Sequence, residues 1–418
     1  MAQSDDLTLQ IQRVGSRGQF PDGSHDLGIQ TNLGVIPGVL HVAEGSPAAV
    51  IWVSGALGGF NGPAHGLYPE LARELRERGV SSFRITYRHP NEIPDCALDA
   101  LGAVSVLKGL GATDLAIVGH SFGGAVAILA GALSPDIRAV IALSSQVFGT
   151  HLVQMISPRP LYLLHGTADE RLPHQASEEI FSRARDPKQI VLVPGGSHVL
   201  TESRDAVIDQ VRAWILDTFS LPKAPSPVEP DPPAELTLAG AGGRVEVRLT
   251  SQDLFEIDAA ALVSPTNDQL IPDGSVSQRL VWSGGLDLAH ELVQPRGHHD
   301  LGSVVPAQAG GPGGRRIFQA VIAEATDVRR STDEPTIARV ITESLRQADE
   351  TGLRSIAFPA IGTGGGGLAY EQAARTTIAS IRDYLERPTG LERIWLALPS
   401  PVMRRIYAEA AGGLKRQA

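Results

Sequence analysis

Residues 115–132 read LAIVGHSFGGAVAILAGA, and this stretch decides how the first half of the chain folds. Leu115-Ala116-Ile117-Val118 is an apolar run of strand length, and Gly124 to Ala132 is Ala-rich and helical. Between them lies Gly119-His120-Ser121-Phe122-Gly123, of the form G-x-S-x-G. Strand, sharp turn and helix are the context in which this motif presents a nucleophilic serine. The turn is tight, so glycine is needed on both sides, where a side chain would clash. It lifts the Ser121 hydroxyl above the carboxyl edge of a sheet. The helix N-terminus behind it aims backbone N–H groups at a developing oxyanion.

Outward from this stretch, apolar strands alternate with helices. Ala49–Val53, Ser82–Tyr87, Ala139–Leu143, Leu161–Leu164 and Ile190–Val193 read as strands, and Leu7–Val14 with Gly34–Ala43 as an edge pair. Leu71–Arg78, Ala97–Leu110 and Arg204–Phe219 read as helices. The alternation predicts a mostly parallel sheet with helices on both faces and a site at the carboxyl ends of its strands. Two further candidates stand at such ends. Asp169 follows the strand Leu161–Leu164 by a short polar turn, and His198 follows Ile190–Val193 on the small turn Pro194-Gly195-Gly196-Ser197. The order Ser121, Asp169, His198 suits a nucleophile, an orienting carboxylate and a general base. The oxyanion donors are expected from Phe122 N–H and from the loop Ser54-Gly55-Ala56-Leu57-Gly58-Gly59, with Ala56 N–H favoured and Leu57 the alternative. His120 reads as a packing residue. Glu170, His65, His89, His151 and His174 show no metal-ligating spacing.

Composition narrows the classes. The 418 residues are 42% hydrophobic and 20% charged, enough apolar content for two cores. A net charge of −10, from 36 basic and 46 acidic residues, argues against nonspecific binding of nucleic acid or of anionic membranes. Cys96 is the single cysteine, which excludes an intrachain disulfide and a CxxC metal site. The first residues, Met1-Ala2-Gln3-Ser4-Asp5-Asp6, lack a basic and then apolar leader, and no run approaches the roughly 18 apolar residues of a membrane span. The expectation is a cytoplasmic protein with no metal and no cofactor.

Residues 221–235 read LPKAPSPVEPDPPAE. Such a proline density forbids a helix or a central strand. A polyproline-II spacer rising about 3 Å per residue, with a reach on the order of 30 Å, is expected. The domains are therefore read as 1–220, a linker 221–235, and 236–418.

The second half is also α/β. Arg244–Leu249, Ala260–Val263, Ser303–Gln308, Ile317–Ile322 and Ser355–Pro359 read as strands, and Thr336–Glu350 and Glu371–Leu385 as helices. The strand Ser355–Pro359 feeds Ala360-Ile361-Gly362-Thr363-Gly364-Gly365-Gly366-Gly367 and then the helix. That geometry gathers backbone N–H groups and a helix dipole at one point, as a phosphate cradle does. No Gly-Lys-Ser/Thr follows, so it is not a Walker loop.

At these residues two resemblances appear. Residues 31–220 look like the α/β-hydrolase superfamily, and the phrases LYLLHGTADERLP and VLVPGGSHVL are similar to its dienelactone-hydrolase and serine-esterase branch. This implies ester or thioester hydrolysis through an acyl-enzyme. The chain departs from the family in leaving no room for a large lid between the strand ending at Ser144 and the strand starting at Pro160, so an open site is expected. Residues 236–415 look like a macro domain, the ADP-ribose-binding module, an α/β/α three-layer mixed sheet, through RSIAFPAIGTGGGG, AYEQAARTTIASIRDYL and ALVSPTN. Counting back from Asn267 puts Asp253-Leu254 on the family's Gly-Asp-Ile, which implies that Asp253 holds the adenine amino group. Counting forward puts Pro272-Asp273-Gly274-Ser275-Val276 on the first ligand loop. Asn267 is implied to face the distal ribose, and Ile361, Gly362, Thr363 and Gly364 to wrap the diphosphate within the loop that runs on through Gly365, Gly366 and Gly367. The chain departs from the family where hydrolytic members carry an Asp, here Ser277, and where an aromatic covers the distal ribose, here Gly366. The loops are closer to the macro-histone type, which implies a binder.

Together these readings predict a serine esterase coupled to an ADP-ribose-binding module. The expected substrate is an ester on ADP-ribose, either O-acyl-ADP-ribose or ADP-ribose on a carboxylate. One alternative is an esterase or thioesterase of unrelated substrate, with the macro domain as sensor or tether. Others are a macro-domain ADP-ribosyl hydrolase and a non-enzymatic reader. The expected partners are ADP-ribose or an ADP-ribosylated molecule and a small acyl ester, with no membrane and no nucleic acid.

Overall fold

A computed structural model describes residues 8–222, 235–240, 243–294, 297–327, 331–365 and 367–412. The linker read at 221–235 and the Gly366 departure thus lie wholly or mostly outside the described residues. The chain divides into two compact units, Met1–Val228 and Glu229–Ala418.

In the first unit the elements are β1 (Ile11–Gln19), β2 (His25–Thr31), β3 (Gly34–His41), β4 (Ala48–Val53), α1 (Pro63–Glu77), β5 (Ser81–Ile85), α2 (Ile93–Gly109), β6 (Asp114–His120), α3 (Phe122–Leu133), β7 (Ile137–Leu143), β8 (Leu161–Gly166), α4 (Gln175–Arg183), β9 (Lys188–Val193) and α5 (Arg204–Thr218). One sheet runs β1-β2-β3-β5-β4-β6-β7-β8-β9, antiparallel through β1, β2, β3 and β5 and parallel from β5 onward. Every residue of β4 is buried, because helices cover both faces. Ile51 and Val53 join a core with Val126 and Ile128 of α3 and Ala100 of α2, while Val50 and Trp52 join one with Leu71 of α1 and Trp214 of α5. This is the α/β-hydrolase fold.

Two local expectations are corrected. The edge pair read at Leu7–Val14 and Gly34–Ala43 is a three-stranded meander, with β2 lying between the other two strands. The segment HDLGIQT has little strand periodicity of its own; seven-residue pairing on both sides builds it. Helix α4 was not read from the sequence, since it buries only Ala176, Ser177 and Ile180.

The second unit contains β10 (Glu235–Gly240), β11 (Gly243–Thr250), β12 (Ala261–Asn267), α6 (Ser275–Ser283), α7 (Gly285–Val293), β13 (Val304–Pro306), β14 (Arg316–Ala323), α8 (Glu334–Glu350), β15 (Ser355–Pro359), α9 (Tyr370–Leu385), β16 (Arg393–Ala397) and α10 (Pro401–Ala410). Its sheet runs β10-β11-β16-β15-β12-β14-β13, parallel in the middle and antiparallel at both edges. One core lies under α8, α9 and α10, and a smaller one under α6 and α7, giving three layers. Pro265 lies inside the central strand β12, which pairs β15 only at Ala261 and Leu262, so the proline stands beyond that ladder. Among the described residues, no helix is long and apolar enough to cross a membrane.

Candidate active site and ligand cavity

Ser121 is the hinge between β6 and α3, and its backbone is strained, with φ 57° and ψ −121°. The flanking glycines are steric necessities. A Cβ on Gly119 would lie 2.0 Å from the Gly123 carbonyl oxygen, and one on Gly123 would lie 2.2 Å from the Ser54 carbonyl oxygen. The Ser121 N–H donates to the Leu143 carbonyl at 2.8 Å, which ties the elbow to the end of β7.

The structure brings the three strand-end residues together. His198 Nε2 lies 3.0 Å from Ser121 Oγ, and His198 Nδ1 lies 2.8 Å from Asp169 Oδ2. His198 is buried although its turn is small and polar. A Cβ on Gly166, at the end of β8, would lie 2.1 Å from the Gly196 carbonyl oxygen, so glycine lets the His198 turn pack on that strand. Asp169 Oδ1 accepts the N–H groups of Arg171 at 2.9 Å and Leu172 at 2.8 Å. Burial pushes this carboxyl up, but the Leu172 N–H, the His198 ring and the Arg171 N–H outweigh it and hold it below the usual carboxylate range. His120 Nε2 donates to the His198 carbonyl at 2.9 Å, and burial, with His198 alongside, pushes His120 down to about 4. Its role in this geometry is to brace the His198 backbone in its neutral form.

The loop after β4 runs beside Ser121: a Cβ on Gly55 would lie 3.7 Å from Ser121 Cβ. Ala56 follows it and packs against the core, and Phe122 opens α3. Tyr87 OH donates to the Ser54 carbonyl at 2.7 Å, Tyr68 OH to the Val53 carbonyl at 2.9 Å, and Gly59 N–H to Thr86 Oγ1 at 2.9 Å. The Tyr87 and Thr86 bonds hold this loop, and the Tyr68 bond holds the strand end that leads into it. Sequence reasoning missed Tyr87 and Thr86. Leu57 beside Ala56, Val199 beside His198 and Phe148 after β7 are exposed apolar residues, Phe148 at 79%.

In the second unit a cavity opens at the carboxyl ends of β12, β14 and β15. Its lining includes Asn267, Asp273, Gly274, Ser275 and Val276 from one side and Gly362, Gly364 and Gly365 from the other. Pro265, Thr266, Ile322, Ala323, Pro359 and Ala360 complete it, and none of these six is among the expected ligand residues. Gly362 has φ +84°, a left-handed conformation suited to glycine. Ile361 is instead buried in the core, Thr363 Oγ1 donates to the Ala360 carbonyl at 2.9 Å, and Gly367 N–H closes the loop onto Gly364 O at 3.1 Å. Asn267 spends its amide on the neighbouring loop: Oδ1 accepts from Gln269 and Ile271 N–H, and Nδ2 donates to the Ile271 carbonyl. Asp253 pairs with Arg279 and accepts Phe255 N–H at 2.9 Å. Burial pushes its carboxyl up, but Arg279 and the Phe255 N–H hold it below its ordinary value. Leu254 packs in the smaller core. Ser277 Oγ is buried, accepting Gly274 N–H at 3.1 Å and donating to Gly274 O at 3.0 Å, so it caps α6.

Residues 263–377 match the family model of the Macro domain. An uncharacterized protein of Pyrobaculum aerophilum is 32% identical over 160 residues, which are 37% of this chain and 85% of that protein. Through its second unit, the chain belongs to the macro domain family. The macro domain here has the Gly-rich loop after β15, and its Ser277 caps α6. The chain spans under half the length, 45% or 43%, of the mycobacterial curated relatives it matches. In structure, the first unit is similar to Est1E from Butyrivibrio proteoclasticus, at 20% identity and TM-score 0.41, over 47% of this chain and 99% of that one. The macro domain is similar to the Oceanobacillus iheyensis macrodomain with ADP, at 21% identity and TM-score 0.37, over 43% and 95%.

Proposed function

We propose that this chain is a cytoplasmic serine hydrolase that cleaves a carboxylic ester on ADP-ribose, and that its macro domain binds the nucleotide. The observation that carries the hydrolytic reading is the line Ser121 Oγ, His198 Nε2, His198 Nδ1, Asp169 Oδ2, at 3.0 Å and 2.8 Å. In it His198 takes the Ser121 proton as Oγ attacks the ester carbonyl. The N–H groups of Phe122 and Ala56 receive the oxyanion, and His198 returns the proton to the leaving alcohol. Water, deprotonated by the same imidazole, then releases the acid. The nucleotide reading is supported by the family and by the cavity, where Gly362, Gly364 and Gly365 meet the first loop at one end of the sheet. A tethered reader raises the local concentration of its ligand to the order of mM for a short linker.

A second reading is favoured by the exposed apolar side chains of Leu57, beside Ala56, and Val199, beside His198. In it the ester is apolar and unrelated to the nucleotide, and the macro domain is a sensor or tether.

The test is turnover of O-acetyl-ADP-ribose and of p-nitrophenyl acetate by the full chain, by Ser121→Ala and by Gly362→Val. On the first reading Ser121→Ala is inactive on both esters, and Gly362→Val raises KM for the nucleotide ester alone. If Gly362→Val leaves both unchanged, the second reading holds. If Ser121→Ala keeps full turnover, the hydrolase reading falls.

A further inference from the structure

Asp169 Oδ2 has a second imidazole on it. His165, at the end of β8 and with no exposed surface, places Nε2 at 3.0 Å from Asp169 Oδ2 and also at 3.0 Å from the Leu172 carbonyl oxygen. Both partners only accept, so Nε2 carries the hydrogen. The other nitrogen, Nδ1, lies 2.7 Å from Ser177 Oγ on α4, itself fully buried. A neutral His165 with hydrogen on Nε2 has a bare Nδ1, and the Ser177 hydroxyl is placed to donate to it. Burial favours that neutral form. With the two backbone N–H groups on Oδ1 and two ring N–H groups on Oδ2, the Asp169 carboxylate holds four donors, which fill its acceptor sites.

We propose that His165, with its tautomer set by Ser177, is a positioning residue for this site: its Nε2–H fixes Asp169 Oδ2 in line with His198 and shares the charge that Asp169 would otherwise direct at His198. The inference rests on the serine-hydrolase reading above. Removing this donor has two consequences. The carboxylate is freer to rotate, so turnover falls. Its full charge then faces His198, which stabilises the imidazolium, so the general base protonates at higher pH. The other groups facing His198 are the neutral His120 ring, 5.0 Å away centre to centre, and Glu170, whose Oε2 lies 3.5 Å from the His198 N–H; Glu202 holds the adjoining Ser197.

The experiment uses the full chain, p-nitrophenyl acetate from pH 5 to 9, and a fluorophosphonate probe to count reactive serines. His165→Met keeps the size and removes the donor, while His165→Gln keeps an N–H near the Nε2 position. Per titrated site, His165→Met is expected to lower kcat about 10- to 100-fold with KM within about twofold, and to move the acid limb of kcat/KM upward. His165→Gln is expected to recover most of both, and Ser177→Ala to fall between Met and Gln. A His165→Met acid limb coincident with wild type overturns the proposal. So does equal loss in the Met and Gln variants. If His165→Met yields no labelled protein, a Ser177→Ala profile identical to wild type decides against it. Equal labelling of wild type and Ser121→Ala removes the serine-hydrolase reading itself, and the proposal with it.

Discussion

His198 Nδ1 lies 2.8 Å from Asp169 Oδ2, although the two residues stand on the turns after different strands, β9 and β8. Parallel neighbours bring their carboxyl ends to one edge of the sheet, and the register Gly166 to Val193 sets the spacing of the two turns. Ser121 reaches the same edge from β6, two strands away.

The elbow is sterically closed, and its cost is measurable. Gly119→Ala places a methyl 2.0 Å from the Gly123 carbonyl oxygen and is expected to destabilise the protein by about 3 kcal/mol or more. Ser121→Gly relieves the positive φ that Ser121→Ala retains, so it should be the more stable of the two variants by about 1 kcal/mol. Urea unfolding of the three variants checks both; a Gly119→Ala midpoint equal to wild type contradicts the steric account.

Tyr87→Phe removes one of the bonds that hold the loop after β4 and leaves the Ser54 carbonyl without that donor. The loss is about 1–2 kcal/mol. On the proposed mechanism it should fall on kcat, about tenfold, with KM little changed. Steady-state kinetics on a chromogenic ester decides; an effect confined to KM would mean that this loop binds substrate without holding the oxyanion.

His120 ties stability to pH. Its ordinary value is 6.5 and burial takes it to about 4. Between these values the unfolded chain binds the proton and the folded chain does not. The stability is therefore complete above about pH 6.5 and declines as pH falls toward 4, by up to about 3 kcal/mol. Asp169, held low, adds loss only as pH drops through and below the ordinary carboxylate range. The denaturation midpoint of wild type should fall steeply between pH 6.5 and 4.5, and that of His120→Gln should be flatter. Parallel curves would assign the acid sensitivity elsewhere.

The macro-domain cavity offers a binding test that does not depend on turnover. At Gly362 a Cβ would stand 3.0 Å from Leu368 Cδ1 and 3.1 Å from Ile337 Cδ1, on a backbone at φ +84°. Gly362→Val should weaken ADP-ribose by at least about tenfold, or 1.4 kcal/mol, in calorimetry. Asp253→Asn should also weaken it about tenfold if this carboxylate holds the adenine amine. An unchanged affinity would place the adenine away from Asp253.

Much of this arrangement is legible in the sequence. Ser121, Asp169 and His198 each follow an apolar strand, and strand ends share an edge in a parallel sheet. His165 carried a signal as well, four residues before Asp169 at the close of β8, but one strand end cannot say whether its histidine faces the core, the substrate or another side chain. Ser177 carried none, since it lies on a helix whose buried positions are few. The same limit applies in the second unit. Asn267 is readable as a residue at the cavity, and it lines it, but the three bonds that commit its amide to residues 269–271 depend on how the loop turns back. The Asp253–Arg279 pair joins residues 26 apart in sequence and rests on where α6 packs.

The sequence by itself determined the two α/β halves, the elbow and the Gly-rich loop, because hydrophobic periodicity and glycine sterics act over a few residues. The tertiary structure alone decided the order of the nine strands, the shared oxygen on which His198 and His165 meet, and the tyrosine bonds at the end of β4 and the start of the loop after it. The strand pairings join residues as far apart as Ala48 and Asp114, the side-chain bonds residues up to 33 apart, and such bonds form only where packing has already placed both partners within about 3 Å.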